Sequence, residues 1–203
     1  MILLKYTKTD GAEFLSHLDV LRHLMRTFRR AGIEVAYSQG YNPHMLVYMS
    51  APIGVGVKSL SEYCVVETEE DPTAFKEKFN LFSPRGIKCT GAWYTPKKVG
   101  VASDIVKAEY FVTGIADFDP EEVLRGEEFI ITDKNGKEKN VAHLIYGIEK
   151  KDGGYKCVLG FGNGLRIEKF TQKLVDRYGG KDVEAIKVKG LLQDGRQFEE
   201  ILR

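Results

Sequence analysis

The sequence predicts an α+β chain built as two tandem ferredoxin-like (βαββαβ) domains. Three observations predict it. The order β-α-β-β-α-β reads twice along the 203 residues. Each half contains an Asp-Pro helix start, Asp71-Pro72 and Asp119-Pro120, an N-cap followed by a residue suited to the first helical turn. Between the halves, Pro96 to Ser103 is polar, small and basic, which sets domains at 1–96 and 104–203 with a linker at 97–103. The length suits one large domain or two small ones, at roughly 100–200 residues per domain.

Element by element, Ile2 to Tyr6 is a short apolar strand ending in the turn composition Thr9-Asp10-Gly11. A helix follows, capped by Ser16 with Asp19 three residues on, a short-armed capping box. Phe14, Leu18, Leu21, Met25 and Phe28 recur at 3–4 spacing and predict its buried face; Ala31-Gly32 ends it. Ile33 to Ser38 reads as extended, 39–44 as a turn-rich loop, and Met45 to Met49 as extended again. Tyr63 to Thr68 is the next strand, Phe75, Phe79 and Leu81-Phe82 give the Asp71-capped helix its apolar side, and Ile87 to Tyr94 closes the half. In the second half Ile105 to Ile115 is a strand and Asp119-Pro120 opens a short helix. Phe129 to Ile131 leads into Lys134-Asn135-Gly136-Lys137, a tight-hairpin signal. His143 to Ile148 and Tyr155 to Phe161 pair across Asp152-Gly153-Gly154. Arg166 to Tyr178 is a helix with Ile167, Phe170, Leu174 and Val175 inward, Val183 to Leu192 a strand, and the tail a short helix.

Composition excludes several classes. A hydrophobic share of 43% supports a packed core. Thirty Lys and Arg against 29 Asp and Glu leave a net charge of +1, so any nucleic-acid surface must be a local patch. No apolar run approaches the about 18 residues of a membrane span, and Met1 to Leu4, followed at once by Lys5, is too short and charged for a signal peptide. Cys64, Cys89 and Cys157 are isolated and lack metal-ligand spacing, which predicts a reducing cytoplasm and no metal centre.

The densest polar constellation is 16–44. Arg22, Arg26, Arg29 and Arg30 recur at 3–4 spacing on the first helix, balanced there only by Asp19; they fit either a solvated face or a stripe meeting phosphates. Ser16 and Asp19 read as caps. His17 stands in the first helical turn, where the dipole favours a neutral ring. The loop 37–44 holds Ser38, Gln39, Asn42 and His44. Of these Asn42, with Gly40 and Pro43, forms turns, whereas Ser38, Gln39 and His44 are not required by one. His17 and His44 are the catalytic candidates. If 37–44 turns back along the sheet, the two rings and Ser38 share an anion pocket. Gly160 to Gly164 reads as a tight turn, lacking the Lys-Ser/Thr of a phosphate loop, and His143 as structural.

Phe14-Leu15-Ser16-His17-Leu18-Asp19, Arg29-Arg30-Ala31, Ala36-Tyr37-Ser38-Gln39-Gly40-Tyr41-Asn42-Pro43-His44, Ala51-Pro52-Ile53-Gly54-Val55-Gly56 and Ser61-Glu62-Tyr63 together resemble the radical-SAM-linked protein family, a bacterial domain of unknown function. The resemblance is dense over 5–67. It weakens in the second half, at His143-Leu144-Ile145 and Gly164-Leu165-Arg166. It departs at Met45-Leu46, where the family usually has Pro-Lys, and at Glu34, where it usually has proline. The resemblance implies a radical SAM protein as partner, fused or encoded nearby, and an RNA- or ribosome-related setting. This chain has no Cys-x-x-x-Cys-x-x-Cys, so S-adenosylmethionine and an iron–sulfur cluster are expected only in that partner and no cofactor in this chain.

The expected function is an RNA-binding or substrate-presenting accessory to a separate radical SAM enzyme, cytoplasmic and without membrane contact. Arg22, Arg26, Arg29, Arg30, Ser38, Gln39, Asn42 and His44 are its expected RNA- or anion-binding residues. Two readings stand beside it. One is a metal-independent endoribonuclease, by fold-level likeness to CRISPR repeat-processing RNases; the other is a protein–protein adaptor. The chain is expected to have no catalytic activity by itself.

Overall fold

The computed structural model describes residues 1–95, 100–132, 135–162 and 164–202. It shows a mixed α/β protein with ten strands and five helices among those residues. The chain divides into two compact units, 1–105 with 192–203, and 106–191. Of the expected linker, 97–99 lie outside the described residues. The tail expected in the second half packs within the first unit.

The first unit runs β1 (Ile2–Lys8), α1 (His17–Arg30), β2 (Val47–Met49), β3 (Lys58–Val66), α2 (Pro72–Phe82), β4 (Cys89–Tyr94) and α3 (Val101–Asp104). Its strand order is β4-β1-β3-β2, and every neighbour is antiparallel. Strand alternation sends Ile2, Leu4 and Tyr6 to one face, where they join Val20, Leu24 and Phe28 of α1 and Phe75 and Phe79 of α2 in the core. Phe28 lies 5.8 and 5.7 Å from Phe75 and Phe79, centroid to centroid, in tilted contact.

The opposite face of β1 and β3 receives the C-terminal segment, which ends in a short 3-10 turn, Phe198–Ile201. Lys5 Nζ donates to Glu199 Oε1 at 2.7 Å and to Gln197 Oε1 at 2.9 Å. Tyr63 OH donates to Glu199 Oε2 at 2.8 Å and accepts from Ser61 Oγ at 3.1 Å. Register puts Lys5 opposite Tyr63, so one cross-strand pair grips one carboxylate.

Three local readings are corrected here. The buried side of α1 is Val20, Leu24, Thr27 and Phe28; Phe14 and Leu18 face solvent. The helix begins at His17, so Phe14 lies outside it on a 3-10 turn, Ala12–Phe14. Residues 33–38 form no strand, only a Tyr37–Met45 bridge. β3 begins at Lys58, well before Tyr63. Its start carries a bulge: Tyr6 opposes Glu62 but Lys8 opposes Ser59, and the extra residue breaks the alternation that a strand reading needs.

The second unit runs β5 (Lys107–Ile115), α4 (Pro120–Leu124), β6 (Ile130–Thr132), β7 (Glu138–Asn140), β8 (Ile145–Lys151), β9 (Gly154–Gly160), α5 (Ile167–Tyr178) and β10 (Gly180–Leu191). Its main order is β10-β5-β9-β8, again antiparallel, with β6 and β7 forming a separate hairpin. The Asn135-Gly136 signal falls between β6 and β7, while Lys134 lies outside the described residues. Asp152-Gly153 closes β8 onto β9, Gly153 taking the positive φ of 79° that the tight turn requires.

Candidate functional site

Ser16 caps α1: its Oγ accepts from Asp19 N–H at 3.2 Å and donates to Asp19 Oδ2 at 2.7 Å. Arg22 Nη1 donates to Asp19 Oδ1 at 2.9 Å. These two hydrogen bonds, from Ser16 first and Arg22 second, hold the Asp19 carboxyl below the usual carboxylate range. Asp19 is therefore occupied in the helix start.

All four arginines are exposed, but they differ in company. Arg30 Nη2 donates to Thr27 Oγ1 at 3.1 Å and to the Phe82 carbonyl at 3.0 Å, tying α1 to the end of α2. Arg22 is paired with Asp19. Arg26 and Arg29 have no carboxylate partner among the described residues.

The 37–44 loop closes on itself. Ser38 N–H donates to the His44 carbonyl at 2.9 Å, His44 N–H donates to Ser38 Oγ at 3.1 Å, and Ser38 Oγ lies 2.8 Å from His44 Nδ1. Ser38 Oγ already accepts from the backbone and keeps a proton and a second lone pair, so it can pair with Nδ1 in either tautomer of the ring. Beyond this closure Gln39, Asn42 and Tyr41 are exposed, Tyr41 at 99%.

The structure brings Ser38 and His44 together and keeps His17 apart from them. The base of the loop lies at the end of β3, where Ala36 N–H donates to the Glu67 carbonyl. His17 starts α1 and the loop follows its end; 14 residues at about 1.5 Å each place these termini about 21 Å apart. No shared histidine pocket forms. The loop closes at the Tyr37–Met45 bridge, and the chain returns along β3 only as Val47–Met49, after His44.

Beside the loop base an open groove of about 510 Å³ is lined by Glu34, Val35, Ala36, Thr68, Glu69, Glu70 and Asp71. Glu70 is paired with Lys78 at 2.7 Å, and Asp71 Oδ1 accepts from the Thr73 and Ala74 N–H groups at 2.9 and 3.1 Å. This groove is therefore acidic, in contrast to the arginine side of α1.

A second cluster had no place in the sequence reading. Lys8 (2% exposed), Glu13, Ser59 and Glu62 are all buried. Ser59 Oγ donates to Glu62 Oε1 at 2.7 Å. Glu13 Oε2 accepts from Gly11 N–H at 2.7 Å, and its carbonyl accepts from Gly56 N–H at 2.8 Å. Desolvation lowers the Lys8 pKa, opposed by Glu62 and Glu13; burial raises Tyr6 well above its usual range, with Glu62 adding to it. Glu13 thereby ties the Gly11 turn to Gly56, and Ser59 holds Glu62 across the bulged start of β3. Its available signal was Lys8 itself, a charge in phase with Ile2, Leu4 and Tyr6.

In the second unit, Gly162 and Leu165 form a bridge, with Leu165 N–H donating to the Gly162 carbonyl at 2.9 Å. That is a tight turn ahead of α5; Asn163 lies outside the described residues. His143 is exposed on a 3-10 turn, not in an apolar strand.

The fold and this surface define a mixed α/β protein with an exposed, arginine-bearing helix. Residues 1–178 match a family described as "Uncharacterized protein conserved in bacteria (DUF2344)", and the chain belongs to that family. No curated protein matches the chain. Among the described residues no helix is long and apolar enough to cross a membrane, and no group of three or more His, Cys, Asp or Glu is placed to hold a metal ion.

Proposed function

We propose that the chain is an accessory protein that binds RNA or presents a substrate to a separate radical SAM enzyme, in RNA- or ribosome-related modification in the cytoplasm. S-adenosylmethionine and the iron–sulfur cluster belong to that partner. Both units are read as ferredoxin-like, supported by the orders β4-β1-β3-β2 and β10-β5-β9-β8. The observation that carries the function is α1: Arg22, Arg26 and Arg29 stand exposed on its outer side, two of them without a carboxylate partner. The likeness of segments 14–19, 36–44 and 51–56 to the radical-SAM-linked family supports the partner.

The test is anisotropy of a labelled single-stranded RNA titrated across KCl concentrations. Arg26→Ala and Arg29→Ala should each weaken binding and flatten the log–log salt slope by roughly 0.7 per lost phosphate contact. Unchanged affinity and slope in both variants would sink the reading. The hydrogen-bonded Ser38–His44 pair favours one alternative, an endoribonuclease with His44 as general acid or base. RNA cleavage under single-turnover conditions that is lost in His44→Ala would support it.

A further inference from the structure

We propose that the outer face of α1 docks an acidic amphipathic helix of another polypeptide. This rests on the accessory part of the reading above and not on its RNA part.

The helix is apolar on two sides. Val20, Leu24 and Phe28 serve the core. On the other side Leu18 is 60% exposed, and Phe14, just ahead of the helix, is 68% exposed. Leu21 is half-buried, and Met25 packs against the core. At about 100° per residue, Arg29 and Arg22 lie within about 40° of Leu18, and Leu21 about 60° to one side. Leu18 and Leu21 thus form a short i, i+3 row beside the arginines, the spacing at which one helix meets another.

An RNA contact has little use for the aliphatic row: phosphates call on the arginines and bases stack on aromatic rings, whereas an exposed apolar patch rimmed by charge marks a protein contact. Phe14 is also held in place: Glu13 is bonded through its carboxylate to Gly11 N–H and through its carbonyl to Gly56 N–H. The loop that carries Val55, itself 61% exposed, is tied to the same turn. Fixing such side chains in advance lowers the ordering cost of association.

Charge identifies the occupant. The only carboxylate on α1, Asp19, is taken by Ser16 and Arg22, while Arg26 and Arg29 have no carboxylate partner among the described residues. A partner supplying Glu or Asp beside its apolar row answers both features with charge-assisted bonds. A second copy does not: α1 against α1 sets arginines against arginines.

The probe is a labelled peptide of about 18 residues, five helical turns, with leucine on one face and glutamate on the other. Its controls replace glutamate by lysine, or leucine by serine. The Leu/Glu peptide should bind saturably and gain helicity, and neither control should bind. Leu18→Asp should weaken it at least about tenfold, as expected for losing one buried leucine, with the far-UV spectrum unchanged. Arg26→Ala and Arg29→Ala should weaken the peptide several-fold in a salt-dependent way.

Absence of saturable binding, or equal binding by Leu18→Asp, would overturn the proposal. Sedimentation showing self-association abolished by Leu18→Asp would overturn it in favour of a second copy. Peptide binding lost with RNA binding kept refutes the docking face alone; the converse refutes the RNA reading alone.

Discussion

Glu199 shows what a single carboxylate does when two strands converge on it. Lys5 and Tyr63 both donate to it, and the Lys5 and Glu199 side chains are only 15% and 9% exposed. Removing one member of a buried pair leaves the other charge unanswered, which costs far more than the pair's own net worth. Glu199→Ala should therefore destabilise the first unit by about 3 kcal/mol, and Lys5→Met combined with Glu199→Leu by much less. Urea unfolding of the three proteins checks this; a double variant as unstable as the single would show that packing, not charge, governs the site. None of this was legible in the sequence. Lys5 and Glu199 are 194 residues apart, and no periodicity links a strand to a tail beyond the second half. Ser16 was legible because its partner, Asp19, is three residues away and the cap is a local matter.

Elements were read well where the signal was local and poorly where it was a choice of face. The Asp-Pro starts placed α2 and α4 at Pro72 and Pro120, and the structure shows Asp71 and Asp119 accepting from the N–H groups that follow. Asp71→Ala should cost about 1 kcal/mol, and Asp71→Asn a fraction of that, because the bond is to a side-chain oxygen that asparagine retains. Equal losses in a thermal melt would mean that carboxylate charge at the helix start matters more than the cap. For α1, by contrast, two apolar stripes satisfy the same 3.6-residue period. Phe14-Leu18-Leu21-Met25 is as regular as Val20-Leu24-Phe28, and only the sheet's position decides between them. Phe14 and Leu18, at the start of the misphased stripe, are the part left facing out, while Met25 at its end packs against the core.

For the molecule as a whole, the order of strands along each unit was legible, but the return of residues 192–203 to the first unit was not, since nothing local distinguishes a tail of one unit from that of another. What the two units share is buried sulfur. Cys64, Cys89 and Cys157 are free and buried. Burial pushes the Cys89 and Cys157 thiols up to about 12 and raises Cys64 as well, from an ordinary value of 9.0. The buried Tyr6 phenol is raised too. In each case the folded pKa exceeds the unfolded one. Below about pH 9 both states hold the proton and stability is at its full value; above it the unfolded chain ionises while the folded chain does not. Stability should then fall as pH rises from 9 towards 12, by about 1.4 kcal/mol per pH unit for each such group. The urea midpoint should stay level up to about pH 9 and then drop steadily to pH 10.5, and Cys157→Val should flatten the part of that slope belonging to the second unit. A flat midpoint over this range would show that the thiols ionise as freely in the folded chain as in the unfolded one. The same burial predicts that an aromatic disulfide reagent at pH 8 labels none of the three thiols in native buffer and all three in urea.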